Sequence, residues 1–196
     1  MITQQQVADG MVFCVNKQLE WTSFDVIGKL RRIFPIKKIG HAGTLDPLAT
    51  GLLIVCTGKF TKRINEYMGM EKEYTGTITL GATTPTYDLE STPHHFLPYH
   101  HINKEMIERV LPSFTGEISQ IPPAHSAIKV DGKRVYELAR QGKEVILKPR
   151  LVTISHFEIT DIALPALHFR VVCSTGTYIR SLANDVSAAL GTGGYL

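Results

Sequence analysis

Gly40-His41-Ala42-Gly43-Thr44-Leu45-Asp46-Pro47-Leu48-Ala49-Thr50-Gly51 is the stretch around which the rest of the chain is organised. Three glycines punctuate it, so it reads as a shaped loop and not as a helix or strand interior. Pro47 fixes its own φ and pushes Asp46 toward an extended conformation. Asp46 is the only carboxylate of the segment, and its neighbours are Leu45, Pro47 and Leu48. A buried strand over Leu52–Cys56 follows at once. A lone carboxylate on a rigid loop at a strand entrance is the setting of a catalytic acid, base or nucleophile. A turn carboxylate that hydrogen-bonds loop amides fits the same residues.

Upstream of the loop, Gly10–Val15 reads as a short buried strand that Asn16-Lys17-Gln18 breaks. Thr22 or Ser23 caps a helix, and Asp25 suits its positive end. Phe24, Ile27, Leu30, Ile33 and Phe34 keep helical spacing until Pro35 stops the helix. Downstream, Gly58-Lys59-Phe60 has the wrong glycine spacing for a phosphate loop, and Phe60 stands where a magnesium-binding hydroxyl belongs. Lys59–Met68 reads as a helix.

The second half alternates strongly. In Glu73–Leu80, Tyr74, Gly76, Ile78 and Leu80 share one face and Thr75, Thr77 and Thr79 the other, as in a half-buried strand. Tyr74 is a core residue, a base-stacking platform, or both. Residues 81–101 form a long polar loop. Its His94-His95 and His100-His101 lack the partners a zinc site needs, so no metal is expected. Asn103 caps a helix with Ile102 and Ile107 as a hydrophobic staple. The basic, turn-rich segment of about residues 121–150, with Asp131-Gly132 as a hairpin turn and a helix over Val135–Gln141, reads as an arm or flap. Val152–Ile162 and Leu167–Cys173 are strands. Thr177–Leu190 is an amphipathic helix with Ile179, Leu182, Val186 and Leu190 inward. This order predicts an α+β fold around a mixed or antiparallel sheet. Arg180, at the helix start, binds phosphate, holds a carboxylate ionised, or is a surface arginine.

Composition sets the frame. The 196 residues suffice for one substantial core, and 43% hydrophobic with 20% charged residues fit a folded soluble protein. No apolar run approaches the length of a membrane span, and the N-terminus lacks a signal-peptide pattern. Cys14, Cys56 and Cys173 read as buried reduced thiols of a cytoplasmic protein. The net charge of +3 says less than its clustering: Lys29, Arg31, Arg32, Lys37 and Lys38 lead into the Asp46 loop, and Lys129–Arg150 is equally basic. Such clusters suit a phosphate-rich partner or a solvated face.

The Asp46 stretch closely resembles the catalytic motif of the TruB family of tRNA pseudouridine synthases. Lys72-Glu73-Tyr74, the 121–140 segment beginning Ile121-Pro122-Pro123, and Ser174-Thr175-Gly176-Thr177-Tyr178-Ile179-Arg180 resemble further motifs of that family, in the same order. The resemblance implies a pseudouridine-synthase fold over residues 1–196, with a thumb-like insertion at about 121–150. The implied activity is the isomerisation of uridine-55 in the tRNA T loop. The implied roles are catalysis by Asp46, stacking of Tyr74 on the flipped uracil, contact of Tyr178 with the substrate nucleotide and pairing of Arg180 with Asp46. His41 would occupy the space beside the flipped base. Lys17 and Lys129 would lie along the RNA or support the site, and Asp88 falls in a loop that approaches the RNA. No cofactor, no metal, no membrane and no protein partner are implied, and a monomer is expected. The sequence departs from the family's Asp-Lys-Pro-x-Gly at Asn16-Lys17-Gln18-Leu19-Glu20, and Pro85 stands where an Asp is common. The family's C-terminal strand and any PUA domain are expected to be absent. A non-catalytic tRNA-binding or folding-assistance protein and a guide-RNA-dependent synthase acting on ribosomal RNA remain as alternatives.

Overall fold

A computed structural model describes residues 2–126, 129–130, 133–134 and 147–196. The chain divides into two compact units, Met1–Met70 and Glu71–Leu196.

The first unit contains α1 (Gln4–Asp9), β1 (Val12–Lys17), α2 (Ser23–Ile33), β2 (Ile39–His41), β3 (Gly51–Thr57) and α3 (Ile64–Gly69). β3 lies between β1 and β2 in an antiparallel sheet. β1 runs two residues beyond the expected break, because Asn16 and Lys17 still pair with Leu52 and Gly51. Its alternation sends Phe13 and Val15 to the core, while Cys14 is exposed. The expectation of three buried thiols therefore holds for Cys56 and Cys173 and fails for Cys14. Burial pushes both buried thiols above the usual range.

Helix α2 starts at a capping box in which Thr22 and Asp25 satisfy each other's amides. It buries Val26 and Ile27 against Leu53 and Val55. Two residues that the spacing placed inward are outside: Phe24 is 69% and Ile33 55% exposed. The buried stripe of α2 runs through Ser23, Val26 and Ile27 with Leu30 packed beside it, and Phe24 and Ile33 lie on its flanks. After β3 the chain makes a 3₁₀ turn over Gly58–Arg63 before α3, instead of one continuous helix. Gly58 is required for space: a Cβ there would collide with the carbonyl oxygen of Ala8.

The second unit is an antiparallel five-stranded sheet in the order β10-β4-β9-β8-β5. Its strands are β4 (Lys72–Leu80), β5 (Gly116–Gln120), β8 (Arg150–Ala163), β9 (Ala166–Cys173) and β10 (Gly194–Tyr195). Helices α4 (Lys104–Val110) and α5 (Ile179–Ala189) contribute Ile107, Leu182, Ala183 and Val186 to a core that also holds Ile78, Leu80, Ile154, Leu167, Phe169 and Val171. The β4 alternation is as read from the sequence, with Tyr74 packed on this core. Asn103 caps α4, and Ile102 and Ile107 are both buried. β5 and β10 were not expected. Both are short, and the glycine-rich Gly193-Gly194 carries no apolar pattern to betray a strand.

The basic segment contains β6 (Lys129–Val130) paired antiparallel with β7 (Lys133–Arg134), as the hairpin reading requires. The Asp131-Gly132 turn, the Val135–Gln141 helix and the Lys129 side chain lie outside the described residues. Among the described residues, no helix is long and apolar enough to cross a membrane.

Candidate functional site

The Asp46 loop joins the antiparallel neighbours β2 and β3, and its two ends are closed by His41↔Val55 pairing and a 2.8 Å bond from the Ala42 amide to the Ile54 carbonyl. Gly43 and Gly51 both take φ +110, a region other residues enter only with strain, and neither is crowded. The requirement at both is therefore conformational. The Ala49 amide donates to the Asp46 carbonyl at 3.0 Å, which makes the turn.

Three clamps fix this loop to the segment after β1. Ser23 Oγ accepts from the Leu45 amide at 3.0 Å and donates to the Leu45 carbonyl at 3.3 Å. The Glu20 amide donates to the Pro47 carbonyl at 2.9 Å. Lys17, fully buried, spends its three donors on the carbonyl oxygens of Gln18 (3.1 Å), Trp21 (2.5 Å) and Pro47 (3.2 Å). Burial lowers the Lys17 pKa, and the nearby carboxylates of Asp46 and Asp25 oppose that shift. Asp46 is thus held by bonds to the residues on both sides of it, with an ammonium close by. The residue as a whole is half-buried.

His41 is also part of this unit. Its Nδ1 makes a short hydrogen bond with the Gly43 carbonyl, and its ring meets Phe24 edge-on, with centroids 6.2 Å apart and planes at 83°.

The remaining described candidates belong to the second unit. Arg180, buried in the first turn of α5, donates to the carbonyl oxygens of Thr86 (2.9 Å) and His125 (3.1 Å). Its Nε lies 3.7 Å from Oδ2 of Asp88. Asp88 is itself buried, and its Oδ1 accepts from the Glu90 amide at 3.0 Å. A guanidinium held by two carbonyls and a carboxylate has a fixed direction, which suits recognition of a planar or anionic group. Tyr178 sits at the N-cap of α5. Gln120 grips its backbone from both sides: Oε1 accepts from the Tyr178 amide at 2.8 Å and Nε2 donates to the Tyr178 carbonyl at 3.1 Å. Tyr74, opposite Val171 in the sheet, is half-buried.

The structure therefore brings Lys17, His41 and Asp46 together in one unit and Arg180 with Asp88 in the other. Three positioning residues escaped the sequence reading: Ser23, Gln120 and Thr86. Ser23 was read only as a possible helix cap. Gln120, buried at the end of β5, was detectable only as a polar residue at an inward position of that strand.

Residues 31–179 match the TruB family pseudouridylate synthase (N terminal domain). The chain is 52% identical over its whole length to tRNA pseudouridine synthase B of Flavobacterium johnsoniae, covering 88% of that protein. It is 55% identical over 96% of its length to the tRNA pseudouridine synthase B of Bacteroides fragilis, covering 83% of it. Among solved structures, a Cbf5-Nop10-Gar1 complex superposes with a TM-score of 0.73 at 28% identity over 98% of this chain. An H/ACA RNP bound to a substrate RNA containing 2′-deoxyuridine does so with 0.70 at 25%. The chain spans slightly under half of each of those two structures' matching chains. The match over residues 31–179 and the identities of 52% and 55% have one explanation: this chain belongs to the TruB family of pseudouridylate synthases.

Proposed function

We propose that this chain isomerises uridine-55 in the T loop of tRNA to pseudouridine, with Asp46 as its catalytic carboxylate. The observation that carries the reading is the 52–55% identity, over nearly the whole chain, to proteins named tRNA pseudouridine synthase B. That identity is about twice the identity to the H/ACA RNP and Cbf5-Nop10-Gar1 structures, which favours tRNA as the substrate. A tRNA substrate fits a cytoplasmic enzyme, and the net isomerisation consumes no co-substrate.

The chemistry breaks the C1′–N1 bond, turns the uracil, and joins C1′ to C5. The C5 proton leaves and N1 gains one. The target must first leave the stacked loop, which costs a few kcal/mol. Stacking on Tyr74 offsets roughly 1–3 kcal/mol of that cost. Tyr178 and Arg180 hold the nucleotide. Asp46 then attacks C1′ or takes the 2′ proton; both routes begin from the ionised carboxylate. The Lys17 ammonium supplies attraction to that charge. His41 occupies the space beside the extruded base, and Lys129 lies along the RNA.

The test is tritium release from tRNA labelled at uridine C5, with no guide RNA present. Wild type releases tritium, and Asp46→Asn does not, although its tRNA affinity stays within about threefold of wild type. Equal turnover by Asp46→Asn removes Asp46 from catalysis. Binding without turnover by the wild type supports a tRNA-binding protein instead.

A further inference from the structure

We propose that Phe24 is a stacking platform for an unpaired base of the RNA substrate, beside the nucleotide on which Asp46 acts; this rests on the function proposed above.

Phe24 has the spacing of a core residue, yet 69% of it is exposed. It is also held in place. Thr22 and Asp25 form the capping box on either side of it, and Ser23, its neighbour, is clamped to Leu45, which precedes Asp46. Its ring abuts His41 edge-on, and His41 is bonded to the Gly43 carbonyl. Leu19, Trp21 and Leu48, at 54%, 37% and 38% exposure, stand on the same clamped segments. The Glu20–Pro47 bond and the Lys17 bonds to Trp21 and Pro47 tie those segments together. Exposed apolar side chains gathered beside one carboxylate mark a binding surface.

Charge identifies the occupant. Lys29, Arg31 and Arg32 are exposed on the same helix, and Lys37 and Lys38 are exposed just after it. The acid nearest Phe24 in sequence, Asp25, is engaged by the Thr22 amide and hydroxyl. Aromatic rings among cations are how proteins hold unpaired bases: the cations follow the phosphates and the ring takes the base. The perpendicular Phe24–His41 pair leaves the exposed ring of Phe24 for such a base.

The experiment compares wild type with Phe24→Ala, Phe24→Leu and Phe24→Trp. It measures Kd for a T-stem-loop RNA, KM and kcat for tritium release, and the fluorescence of 2-aminopurine placed in turn at each unpaired loop position. Phe24→Ala and Phe24→Leu are expected to raise Kd and KM about tenfold with kcat within about twofold. Phe24→Trp stays near wild type. At one loop position the 2-aminopurine is quenched by wild type and Phe24→Trp, and not by the other two. Unchanged Kd in Phe24→Ala, or wild-type behaviour of Phe24→Leu, overturns the proposal and assigns the patch to another partner. Asp46→Asn keeps the quenching while losing turnover. A wild type that shows the quenching without turnover counts against the proposed function and leaves the Phe24 platform standing.

Discussion

The buried ammonium of Lys17 lies 3.2 Å from the carbonyl oxygen of Pro47, thirty residues on, and so fixes the residue that follows Asp46 to the end of β1. All three of its protons point at carbonyls. Lys17→Met strands those acceptors and is expected to cost about 2–4 kcal/mol in urea unfolding. On the catalytic role proposed for Asp46, activity is expected to fall further than stability alone explains, by about a hundredfold for a displaced carboxylate. The folded pKa of Lys17 lies below 10.5, so the unfolded chain binds the extra proton. The stability of wild type relative to Lys17→Met therefore rises as pH climbs toward 10.5, which unfolding at pH 8 and pH 10 reads directly.

Glu20 sits at φ +64, where the family pattern has glycine. A residue with a Cβ pays roughly 1–2 kcal/mol there. Glu20→Gly relieves that strain and gives back part of it in chain entropy. The expected net gain is up to about 1 kcal/mol, visible as a higher midpoint in thermal unfolding with kcat unchanged.

Asp88 faces Arg180 in the interior of the second unit. Asp88→Ala removes a buried carboxylate that faces the guanidinium, and about 3 kcal/mol of stability is expected to go. Asp88→Asn keeps an acceptor of the same shape and loses less. Chemical denaturation of the two variants side by side checks the order.

Burial raises the pKa of Asp185, with the Asn184 amide opposing. A folded pKa above the unfolded 3.8 means that stability falls as pH rises from 3.8 through the folded value. Asp185→Asn is therefore expected to stabilise at pH 7, on the order of 1 kcal/mol, and to be nearly neutral near pH 3.5. Thermal unfolding at the two pH values reads the difference.

Much of this was legible in the sequence, for reasons that differ from residue to residue. Tyr74 and Ile78 could be placed because a period of two over nine residues admits one burial pattern. The cap could be narrowed to Thr22 or Ser23 because a hydroxyl shortly before an acid caps a helix, and it is Thr22. Phe24 and Cys14 could not, because spacing says which face a residue shares and not whether the facing layer reaches that far. The clamps on the Asp46 loop and on Tyr178 were hidden for another reason. Lys17, Ser23 and Gln120 act on backbone carbonyls and amides, which carry no residue identity, so nothing in Leu45, Pro47 or Tyr178 announces a partner.

The pairing of β10 with β4 has a consequence for the order in which the protein is made. Gly194 meets Leu80 more than a hundred residues earlier in the chain, whereas every strand pair of the first unit closes within residues 12–57. A chain emerging from the ribosome can complete the Asp46 loop and its clamps while the second sheet still lacks an edge. The carboxylate is set before the arginine-bearing helix has been synthesised, and the slow, long-range closure comes after both.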